Sequence, residues 1–480
     1  MKERDRISQT MPIQQMLEAY EGSNPLPFHM PGHLLGRGLI EEFKSIGRLD
    51  ITEIPGSDCL HHPEGVIKEA QEYAAHLFGA DYTLFLVNGS TSGIHAMIQA
   101  TVNPGGKLIV GRDCHQSVLN ALALIHAEPL FILPEMDVDN QIPLGIKGDA
   151  LRQVLSSHPD AQGILITRPN YYGVATPLDE IVKLARCHSI PLLIDEAHGA
   201  HFKFHKRLPA TALEKGADLC VQSLHKTLPA LTQTALLHGN KNSRVDRLRV
   251  ERVVSMVQTT SPSYLLMTSI DSARQMMEEQ GCGLYEILWL NIMEFDRRLN
   301  EISHIKRVAR GYKGYETDFS RIVLSFKQTR LSGFQAEELL RTRYGIVAEM
   351  ADMEHVVLIA TPFHTTEDFG RLLKALKEMV EEYKVMKHEK RQVVSWPVIL
   401  PDRVMPLREA LFYARRELPI KEALGEISAV PIVPYPPGIP LINPGERITA
   451  SCIDFIEVLL NEKYPIHGVN QGKLQVVDLK

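Results

Sequence analysis

The sequence lacks several features that identify common classes of protein. Its six cysteines contain no C-x-x-C pair, which argues against a zinc knuckle or a dithiol redox motif, so we expect reduced thiols. No apolar run is long enough to cross a bilayer, and the mixed charge of residues 1–6 argues against a secretory signal. A formal net charge of −6 gives no basic excess for nucleic acid or an acidic membrane. These absences predict a cytoplasmic protein without a nucleic-acid or membrane partner.

The common nucleotide and metal motifs are absent as well. No G-x-x-x-x-G-K-[ST] occurs, and no G-x-G-x-x-G follows a predicted strand. The 20 histidines include no H-E-x-x-H. The pairs that come closest to a ligand set are His61 with His62 and His198 with His201. His198 lies in the segment that follows Asp195, and another role is predicted for that segment. We therefore expect no metal site.

What the sequence does contain is an alternation of amphipathic helices and apolar strands. After Gly65 the apolar residues recur at helical spacing, and this segment closes at Phe78-Gly79. This alternation predicts an α/β fold with a mostly parallel sheet, in which ligands bind at the carboxyl ends of the strands. Apolar runs typical of buried strands occur at residues 82–87, 108–110, 163–166, 191–194 and 218–221.

Changes in composition along the chain predict four segments. Residues 1–60 are rich in Pro and Gly and are interpreted as an N-terminal arm. Residues 61–300 form the predicted large domain, residues 301–388 a smaller α+β domain, and residues 389–480 a C-terminal domain. The last segment contains a proline cluster that predicts an extended stretch packed against the body, at Pro431, Pro434, Pro436, Pro437, Pro440 and Pro444.

Two polar segments at predicted strand ends suggest a site for a phosphorylated ring. The segment from Asn88 to Gly93 places small hydroxyl residues and glycines where a helix begins, which suits a phosphate group. Ordinary N-capping explains the same pattern about equally well. Asp195 ends an apolar strand, where an unpaired charge is costly, so it needs a cationic partner such as a protonated ring nitrogen. A salt-bridged or helix-capping aspartate is the alternative.

Two further strand-end segments carry a lysine and a histidine. Lys226 lies in the polar segment that follows the predicted strand at residues 218–221. A lysine in such a place can be desolvated and act as a Schiff-base amine, although an isolated lysine is usually a solvated surface charge. Ser223 and Lys226 match S-x-x-K, but the S-D-N and K-T-G that complete the penicillin-binding set are missing. His115, after the strand ending at Val110, is placed either to lie over an aromatic cofactor or to be an ordinary loop residue.

These four segments together match the requirements of one cofactor. In chain order they supply a phosphate cradle, a stacking ring, a buried carboxylate and a reactive lysine. The carboxylate would keep a pyridine nitrogen protonated, so that the ring can accept electrons. Their joint occurrence at strand ends is much less expected by chance than the ordinary explanation of any one of them. The sequence therefore predicts pyridoxal 5'-phosphate as the cofactor.

Several longer motifs extend this pattern to nearly the whole chain. In content and order they resemble the ornithine/lysine/arginine decarboxylases of bacteria, and the length resembles the short, group III form without the N-terminal receiver-like wing. The resemblance implies an aspartate-aminotransferase-like fold (fold type I) that works as a homodimer or a dimer of dimers. The motifs span residues 27–33, 50–53, 60–65, 88–91, 195–199, 222–228, 260–264 and 434–440.

The resemblance also implies roles for individual residues. Lys226 would hold the cofactor as a Schiff base, Asp195 would pair with the pyridine nitrogen, and His115 would stack on the ring. His198 would lie against the opposite ring face, and Thr260 or Ser261 would reach a neighbouring subunit's cofactor. Ser90, Thr91, Ser223 and His225 would hold the phosphate.

The implied reaction is decarboxylation of a basic amino acid in polyamine metabolism, with arginine ahead of lysine and ornithine. Lys226 or His225 is the candidate proton donor. An aminotransferase, a lyase or a non-catalytic pyridoxal-phosphate-binding protein is the alternative. The substrate's basic side chain needs acidic partners, although a surface or structural carboxylate is the stronger explanation of each candidate taken singly. The candidates are Glu53, Asp58, Glu64 and Glu446.

Three positions depart from the usual family pattern. Asp58 is followed by Cys59 where paired acids are common, and Gln116 stands where lysine is usual. Arg168 precedes the Pro169-to-Gly173 loop where a small polar residue is more usual. These departures leave the predicted cofactor residues in place but bear on the identity of the substrate.

Overall fold

The computed structural model describes residues 10–383, 400–434 and 438–479. The predicted boundary between residues 388 and 389 lies outside these ranges, as do Pro436 and Pro437 of the proline cluster. The helices in chain order are α1 Pro12–Gly22, α2 Glu41–Gly47, α3 Val66–Phe78, α4 Gly89–Thr101, α5 Gln116–Leu124, α6 Gly148–Ser157, α7 Leu178–Cys187, α8 Ala212–Lys215, α9 Leu224–Thr227, α10 Arg247–Val257, α11 Tyr264–Leu299, α12 Gly333–Tyr344, α13 Thr366–Tyr383, α14 Leu407–Phe412 and α15 Ala450–Asn461.

The strands are short and fall between these helices for most of the chain. In chain order they are β1 Tyr82–Leu86, β2 Lys107–Gly111, β3 Glu128–Ile132, β4 Glu135–Asp137, β5 Ile142–Gly145, β6 Ala161–Thr167, β7 Val174–Ala175, β8 Leu192–Asp195, β9 Leu219–Ser223, β10 Ala235–Gly239, β11 Lys306–Val308, β12 Glu316–Thr317, β13 Arg321–Ser325, β14 Met350–Ala351, β15 His355–Ile359, β16 Arg415–Pro419, β17 Val433–Pro434, β18 Ile466–His467, β19 Val469–Asn470 and β20 Lys473–Val477.

The chain divides into two compact units, and each unit joins segments that are distant in sequence. Unit 1 comprises the described residues of Met1–Thr101, Ala185–Lys206 and Ala210–Leu284. Unit 2 comprises those of Val102–Leu184, Arg207–Pro209 and Tyr285–Lys480. The four-segment division of the sequence stays a prediction.

Unit 1 is built on four buried strands in the order β1-β10-β9-β8. β8 and β9 run parallel, whereas β10 is antiparallel to both β9 and β1. Every residue of these strands is buried, which is typical of strands covered on both faces and explains their continuous apolar character. Helix α4 packs against β9 and β10.

A buried ion network ties the start of the chain to the long helix α11 in unit 1. The Arg274 side chain is fully buried and donates to Asp271 Oδ1 at 2.7 Å and to Glu278 Oε2 at 3.0 Å. It also donates to the carbonyl oxygen of Thr10, and Asp271 Oδ2 accepts the N–H of Ile13 at 3.4 Å. Buried charges are stable only when paired in this way, so the network fixes α1 on α11.

Unit 2 contains parallel strands in the order β6-β2-β3 and a four-stranded antiparallel sheet in the order β11-β13-β15-β14. The parallel pairs in both units, with helices between successive strands, confirm the predicted α/β class with a mostly parallel sheet. Near the C-terminus, β16, β20 and β19 form an antiparallel sheet. It packs with α15 around a core that includes Ile442, Ile456 and Leu474, so this region has an apolar core of its own.

Candidate active site

Asp195 is the last residue of β8 and is 3% exposed. Its Oδ1 accepts the N–H of Ala197 at 3.1 Å. Among the described residues, no basic side chain lies within ion-pair distance of this carboxylate. A buried aspartate without a cationic partner is costly, and a protonated ring nitrogen would supply the missing positive charge.

Lys226 lies in the short helix α9, directly after β9, and is half-buried. Its Nζ lies 3.1 Å from His198 Nε2, and His198 belongs to the loop that follows Asp195. The structure therefore brings together two of the sequence-predicted site segments, Asp195–Gly199 and Ser223–Leu228, at the carboxyl ends of two neighbouring parallel strands. This is the edge of the sheet where ligands bind in α/β folds.

The loop before β10 joins the lysine segment to the predicted phosphate cradle. Thr234 O accepts the Nδ1–H of His225 at 2.9 Å and the N–H of Leu224 at 3.1 Å. The preceding residue, Gln233, accepts the N–H of Gly89 at 2.8 Å through its carbonyl oxygen. Because one dipeptide binds both segments, the start of α4 and the start of α9 are held side by side.

The hydrogen bond to Thr234 also fixes the protonation of His225. A carbonyl oxygen only accepts, so Nδ1 must carry the hydrogen and Nε2 is the atom left to interact with a ligand. Burial lowers the pKa of His225, and the neighbouring Lys226 charge lowers it further. The neutral ring is therefore favoured at pH 7, and its Nε2 is then an acceptor, so His225 donates to a phosphate or to Cα only in its protonated form.

Close packing between α4 and β9 requires a glycine at position 93. A Cβ at Gly93 would lie 2.6 Å from Val221 Cγ2 and 2.7 Å from Leu86 Cδ1. Gly89, where the helix begins, has φ +72°, a conformation that glycine adopts without strain. Ser90 and Thr91 occupy the first turn of α4, where backbone N–H groups without helical partners can bind an anion.

The Ser223 side chain gives a further indication of a phosphate. Ser223 is fully buried, and its hydroxyl has no hydrogen-bond partner among the described residues. An unsatisfied buried hydroxyl costs about 1–3 kcal/mol, so such a group usually has a ligand or water as partner. The Ser223 hydroxyl, the first turn of α4, Asp195 and Lys226 together fit pyridoxal phosphate in charge and donor type.

Thr260 lies in a segment that contacts the same region of unit 1. The N–H of the preceding Thr259 donates to Asn88 Oδ1 at 3.1 Å, and the Thr259 carbonyl accepts from His61 Nε2 at 2.8 Å. Thr260 itself is exposed. The structure thus places the 60–65, 88–91 and 260–264 motifs next to one another.

A buried polar chain behind the site was not found from the sequence. Thr83 Oγ1 lies 2.8 Å from His238 Nδ1, His238 Nε2 lies 3.2 Å from Gln222 Oε1, and Gln222 Nε2 donates to Glu196 Oε2 at 2.7 Å. Burial lowers the pKa of His238 to about 3, so the ring stays neutral. The sequence feature that could have predicted these hydrogen bonds is the presence of Gln222 and His238 in the otherwise apolar strands β9 and β10. Glu196 directly follows Asp195, so this polar chain supports the loop of the site.

His115 belongs to unit 2, where it is the N-cap of α5. Its Nδ1 lies 3.2 Å from the N–H of Ser117 and 2.9 Å from Ser117 Oγ. Since a backbone N–H only donates, Nδ1 is the unprotonated nitrogen and the neutral ring carries its hydrogen on Nε2. Its predicted stacking role stays a prediction.

The four candidate substrate carboxylates have different surroundings. Glu53 and Glu64 are exposed. Burial raises the pKa of the Cys59 thiol, and a hydrogen bond to Glu53 raises it further. The carboxylates of Asp58 and Glu446, in contrast, already accept hydrogen bonds from protein groups.

Asp58 organises the loop before α3 and caps that helix. Its two oxygens accept backbone N–H groups of the residues that follow, and Asp58 itself adopts a left-handed φ of +68°. The hydroxyl of Tyr264 donates to the Asp58 carbonyl at 2.6 Å. These contacts favour a structural role. The donors are the N–H groups of Cys59 at 2.8 Å, Glu64, Gly65 and Ile67 at 2.9 Å, and Lys68 at 3.3 Å.

We expect Asp58→Ala to lower the free energy of unfolding by about 1–2 kcal/mol at pH 7, because five backbone N–H groups lose their acceptor, including those of Ile67 and Lys68 in the first turn of α3. Urea unfolding of the cofactor-free protein measures this difference. Glu64→Ala, in the same loop, serves as the control and should change stability by less than about 0.5 kcal/mol.

The effect of Asp58 on stability should depend on pH. Burial raises the pKa of Asp58, but the backbone N–H groups outweigh it and the net pKa lies below the usual 3.8. The stabilisation is therefore fully present above pH 3.8 and is lost as the pH falls through the lower folded pKa. An unfolding difference that is absent at pH 7 would contradict this role.

Glu446 is 1% exposed and pairs with Arg112 at 2.8 Å. The N–H and the side-chain amide of Asn443 donate to the same carboxylate at 2.7 and 2.9 Å. Burial raises the pKa of Glu446, and Arg112 opposes this shift. Glu446 is thus held by a structural ion pair within unit 2.

Arg168, which departs from the family pattern, is also held by protein groups. Its guanidinium is fully buried and donates to the Thr176 carbonyl at 3.0 Å and to Glu316 Oε2 at 3.0 Å. This departure is explained by contacts within unit 2 and gives no information on the substrate.

The described residues contain neither a metal-ligand cluster nor a membrane-spanning helix. Within residues 10–383, 400–434 and 438–479, no group of three or more His, Cys, Asp or Glu side chains is arranged to hold a metal ion. In the same ranges no helix has both the length and the apolar content needed to cross a membrane.

Solved structures with the same fold include two enzymes. The lysine decarboxylase of Francisella novicida superimposes with a TM-score of 0.84 at 21% identity, over 97% of this chain and 81% of that one. A serine palmitoyltransferase of Sphingomonas wittichii matches with a TM-score of 0.53 at 18% identity, over 66% of this chain and 76% of that one. These likenesses show the aspartate-aminotransferase-like fold (fold type I), and Lys226 and the buried Asp195 lie at the ligand-binding edge of its sheet.

Sequence comparison identifies the family. Residues 11–312 match the family model described as Orn/Lys/Arg decarboxylase, major domain, and residues 400–473 match that of its C-terminal domain. The arginine decarboxylase of Bacillus subtilis is 37% identical over 476 residues, which cover 97% of each chain. The chain belongs to the Orn/Lys/Arg decarboxylase family, and it is a decarboxylase with pyridoxal phosphate as its cofactor.

Proposed function

We propose that this enzyme decarboxylates a basic amino acid, with arginine preferred over lysine and ornithine. The single observation that carries the decarboxylase site is the half-buried Lys226, 3.1 Å from His198 in the loop after Asp195. The preference for arginine is supported by the 37% identity to an arginine decarboxylase over nearly the full length. The lysine decarboxylase of Francisella novicida is 21% identical.

We assign each site residue a task in this reaction. The bound cofactor supplies an electron-accepting ring that stabilises the charge left at Cα when carbon dioxide departs. Lys226 holds the cofactor covalently between turnovers, and Asp195 keeps the ring nitrogen protonated. Lys226 or His225 returns a proton to Cα. The remaining proposed contacts are Ser90, Thr91, Ser223 and His225 with the phosphate, His115 and His198 with the two ring faces, and Thr260 with the cofactor of a second subunit.

The electrostatics of Asp195 support this assignment. A buried carboxylate stabilises a cation close to it much more strongly than an exposed one does, because the low dielectric strengthens the interaction. Asp195 is 3% exposed, and no basic side chain neutralises it within the described residues. It is therefore well placed to raise the basicity of a ring nitrogen, which is the property that carbanion stabilisation requires.

For the substrate's cationic side chain we propose Glu53 and Glu64 as partners. Both carboxylates are exposed, whereas the oxygens of Asp58 and Glu446 already accept protein hydrogen bonds. Homodimer formation, a cytoplasmic location and a role in polyamine metabolism belong to the same proposal and are supported by family membership.

Release of carbon dioxide tests the proposal most simply. The purified, cofactor-loaded enzyme is incubated in turn with arginine, lysine and ornithine, and both the gas and the amine product are quantified. We expect the highest kcat/KM with arginine. Keto-acid products without gas would identify an aminotransferase instead. Cofactor binding without turnover of any of the three amino acids would overturn the proposal in favour of a non-catalytic protein.

A further inference from the structure

The chain between Gly438 and Glu446 contacts the loop that carries His115, and both lie in unit 2. The Gly438 carbonyl accepts the N–H of Gln116 at 3.3 Å. The Leu441 carbonyl accepts from Arg112 Nη2 at 3.1 Å, and Glu446 accepts from the same nitrogen at 2.8 Å. Residues more than 300 positions apart in sequence thus hold both ends of the segment that contains His115.

The ion pair at the centre of this contact is almost completely buried. The side chains of Arg112 and Glu446 are 10% and 2% exposed. Arg112 also lies over the Phe131 ring, with 4.8 Å between the guanidinium carbon and the ring centroid. A buried charge that loses its partner is strongly destabilised, so Arg112 has one favourable position while Glu446 is ionised.

His115 follows Arg112 by three residues, and the intervening backbone has little freedom. The Arg112 N–H donates to the Ile132 carbonyl at 2.8 Å, and the Cys114 N–H donates to the Gly111 carbonyl at 3.1 Å. The ring itself is oriented by Ser117 at the start of α5. The direction of the His115 ring therefore depends on how Arg112 and Gln116 are anchored.

We propose that Glu446, acting through Arg112, is a positioning residue that fixes the loop of His115 for stacking on the cofactor. This inference rests on the proposed function, because it uses the stacking role assigned to His115. It gives the C-terminal region a task in the active site through the contacts of the Glu446 carboxylate with Arg112 and Asn443. It also replaces the expectation that Glu446 binds the substrate.

A second ion pair between the same parts of the chain provides a matched control. Arg403 Nη1 donates to the Pro129 carbonyl at 2.7 Å, and its Nη2 pairs with Glu128. Arg403 thus joins the C-terminal region to β3 without contacting the loop from Arg112 to Gln116. Glu446→Gln and Arg403→Gln each remove one ion pair, but only the first should change the surroundings of the cofactor.

The test compares the two variants in cofactor dissociation constant, visible circular dichroism of the bound cofactor, and thermal unfolding of the cofactor-free protein. For Glu446→Gln we expect about tenfold weaker cofactor binding and an altered visible dichroism, which correspond to a lost aromatic stack. For Arg403→Gln we expect wild-type values of both. The cofactor-free Glu446→Gln protein should unfold at a lower temperature than Arg403→Gln, because the Arg112–Glu446 pair is more deeply buried than the Arg403–Glu128 pair.

A third variant links the effect to the histidine. His115→Ala should reproduce the weaker binding, and adding Glu446→Gln to it should cause no further loss, because both changes remove the same interaction. If Glu446→Gln does not fold, Arg112→Lys keeps the positive charge without the fork of donors and should give an intermediate change.

Two results would overturn the inference. One is wild-type cofactor binding and dichroism in Glu446→Gln, and the other is an equal change in Arg403→Gln. A failure of the proposed function is distinguishable, because it would leave these cofactor measurements intact while arginine, lysine and ornithine were not turned over.

Discussion

Replacing Lys226 with alanine is expected to abolish decarboxylation and the visible absorbance of lysine-bound cofactor. Removing the residue that holds a covalent cofactor lowers kcat by about 10³-fold or more, in the range found for loss of a catalytic nucleophile. Lys226 is half-buried with its Nζ 3.1 Å from His198 Nε2, and alanine at this position has no amine to bind the cofactor. Absorbance of the purified variant after incubation with pyridoxal phosphate measures the effect.

Lys203→Ala is the matched control for this change. Lys203 also belongs to unit 1, and its Nζ pairs with Glu214 Oε1 at 2.9 Å, which is a structural contact. We expect that variant to keep the absorbance and the activity. A Lys226→Ala protein with an unchanged visible spectrum would show that another amine holds the cofactor.

Asp195→Asn is expected to lower kcat by about 10²–10³-fold while the protein stays folded. Asparagine keeps an oxygen for the N–H of Ala197, which Asp195 accepts at 3.1 Å, but it removes the negative charge. Without that charge a ring nitrogen loses its proton more readily, and the ring accepts electrons less well. Steady-state kinetics with the preferred amino acid, together with the pH dependence of the cofactor spectrum, measure the change.

Glu196→Gln provides the contrast, because Glu196 is the neighbouring buried carboxylate and supports the site loop through hydrogen bonds to protein groups. Its oxygens accept from Ala212 N at 2.8 Å and Gln222 Nε2 at 2.7 Å. That variant should unfold at a lower temperature but keep the wild-type pH dependence of the cofactor spectrum. Equal kinetics in Asp195→Asn and wild type would refute the role of Asp195.

The elements that carry the site could be predicted from local sequence. Apolar runs ending in Asp195 and Ser223 were recognisable as buried strands, and the structure confirms them as β8 and β9. The helix predicted after Gly65 spans Val66–Phe78, and Gly79 ends it with φ +75°. These features depend on periodicity and on residues within one turn, so one segment alone specifies them.

Contacts between distant segments could not be predicted in the same way. The role of Asp58 depends on five backbone N–H groups that converge only when its loop adopts φ +68°. The Arg112–Glu446 pair joins residues 334 positions apart. Strand β10 was missed because its short apolar run includes His238, whose partners Thr83 and Gln222 lie on neighbouring strands. A polar residue is acceptable in a buried strand only when such partners exist, and sequence alone does not show them.

The central claim is that Lys226 is the residue that holds the cofactor. Treating the cofactor-loaded enzyme with borohydride fixes the cofactor permanently to its lysine, and peptide mass spectrometry then locates the label among the 480 residues. The account predicts one labelled peptide, with the pyridoxyl group on Lys226. An unlabelled Lys226, or a label on any other lysine, would contradict it.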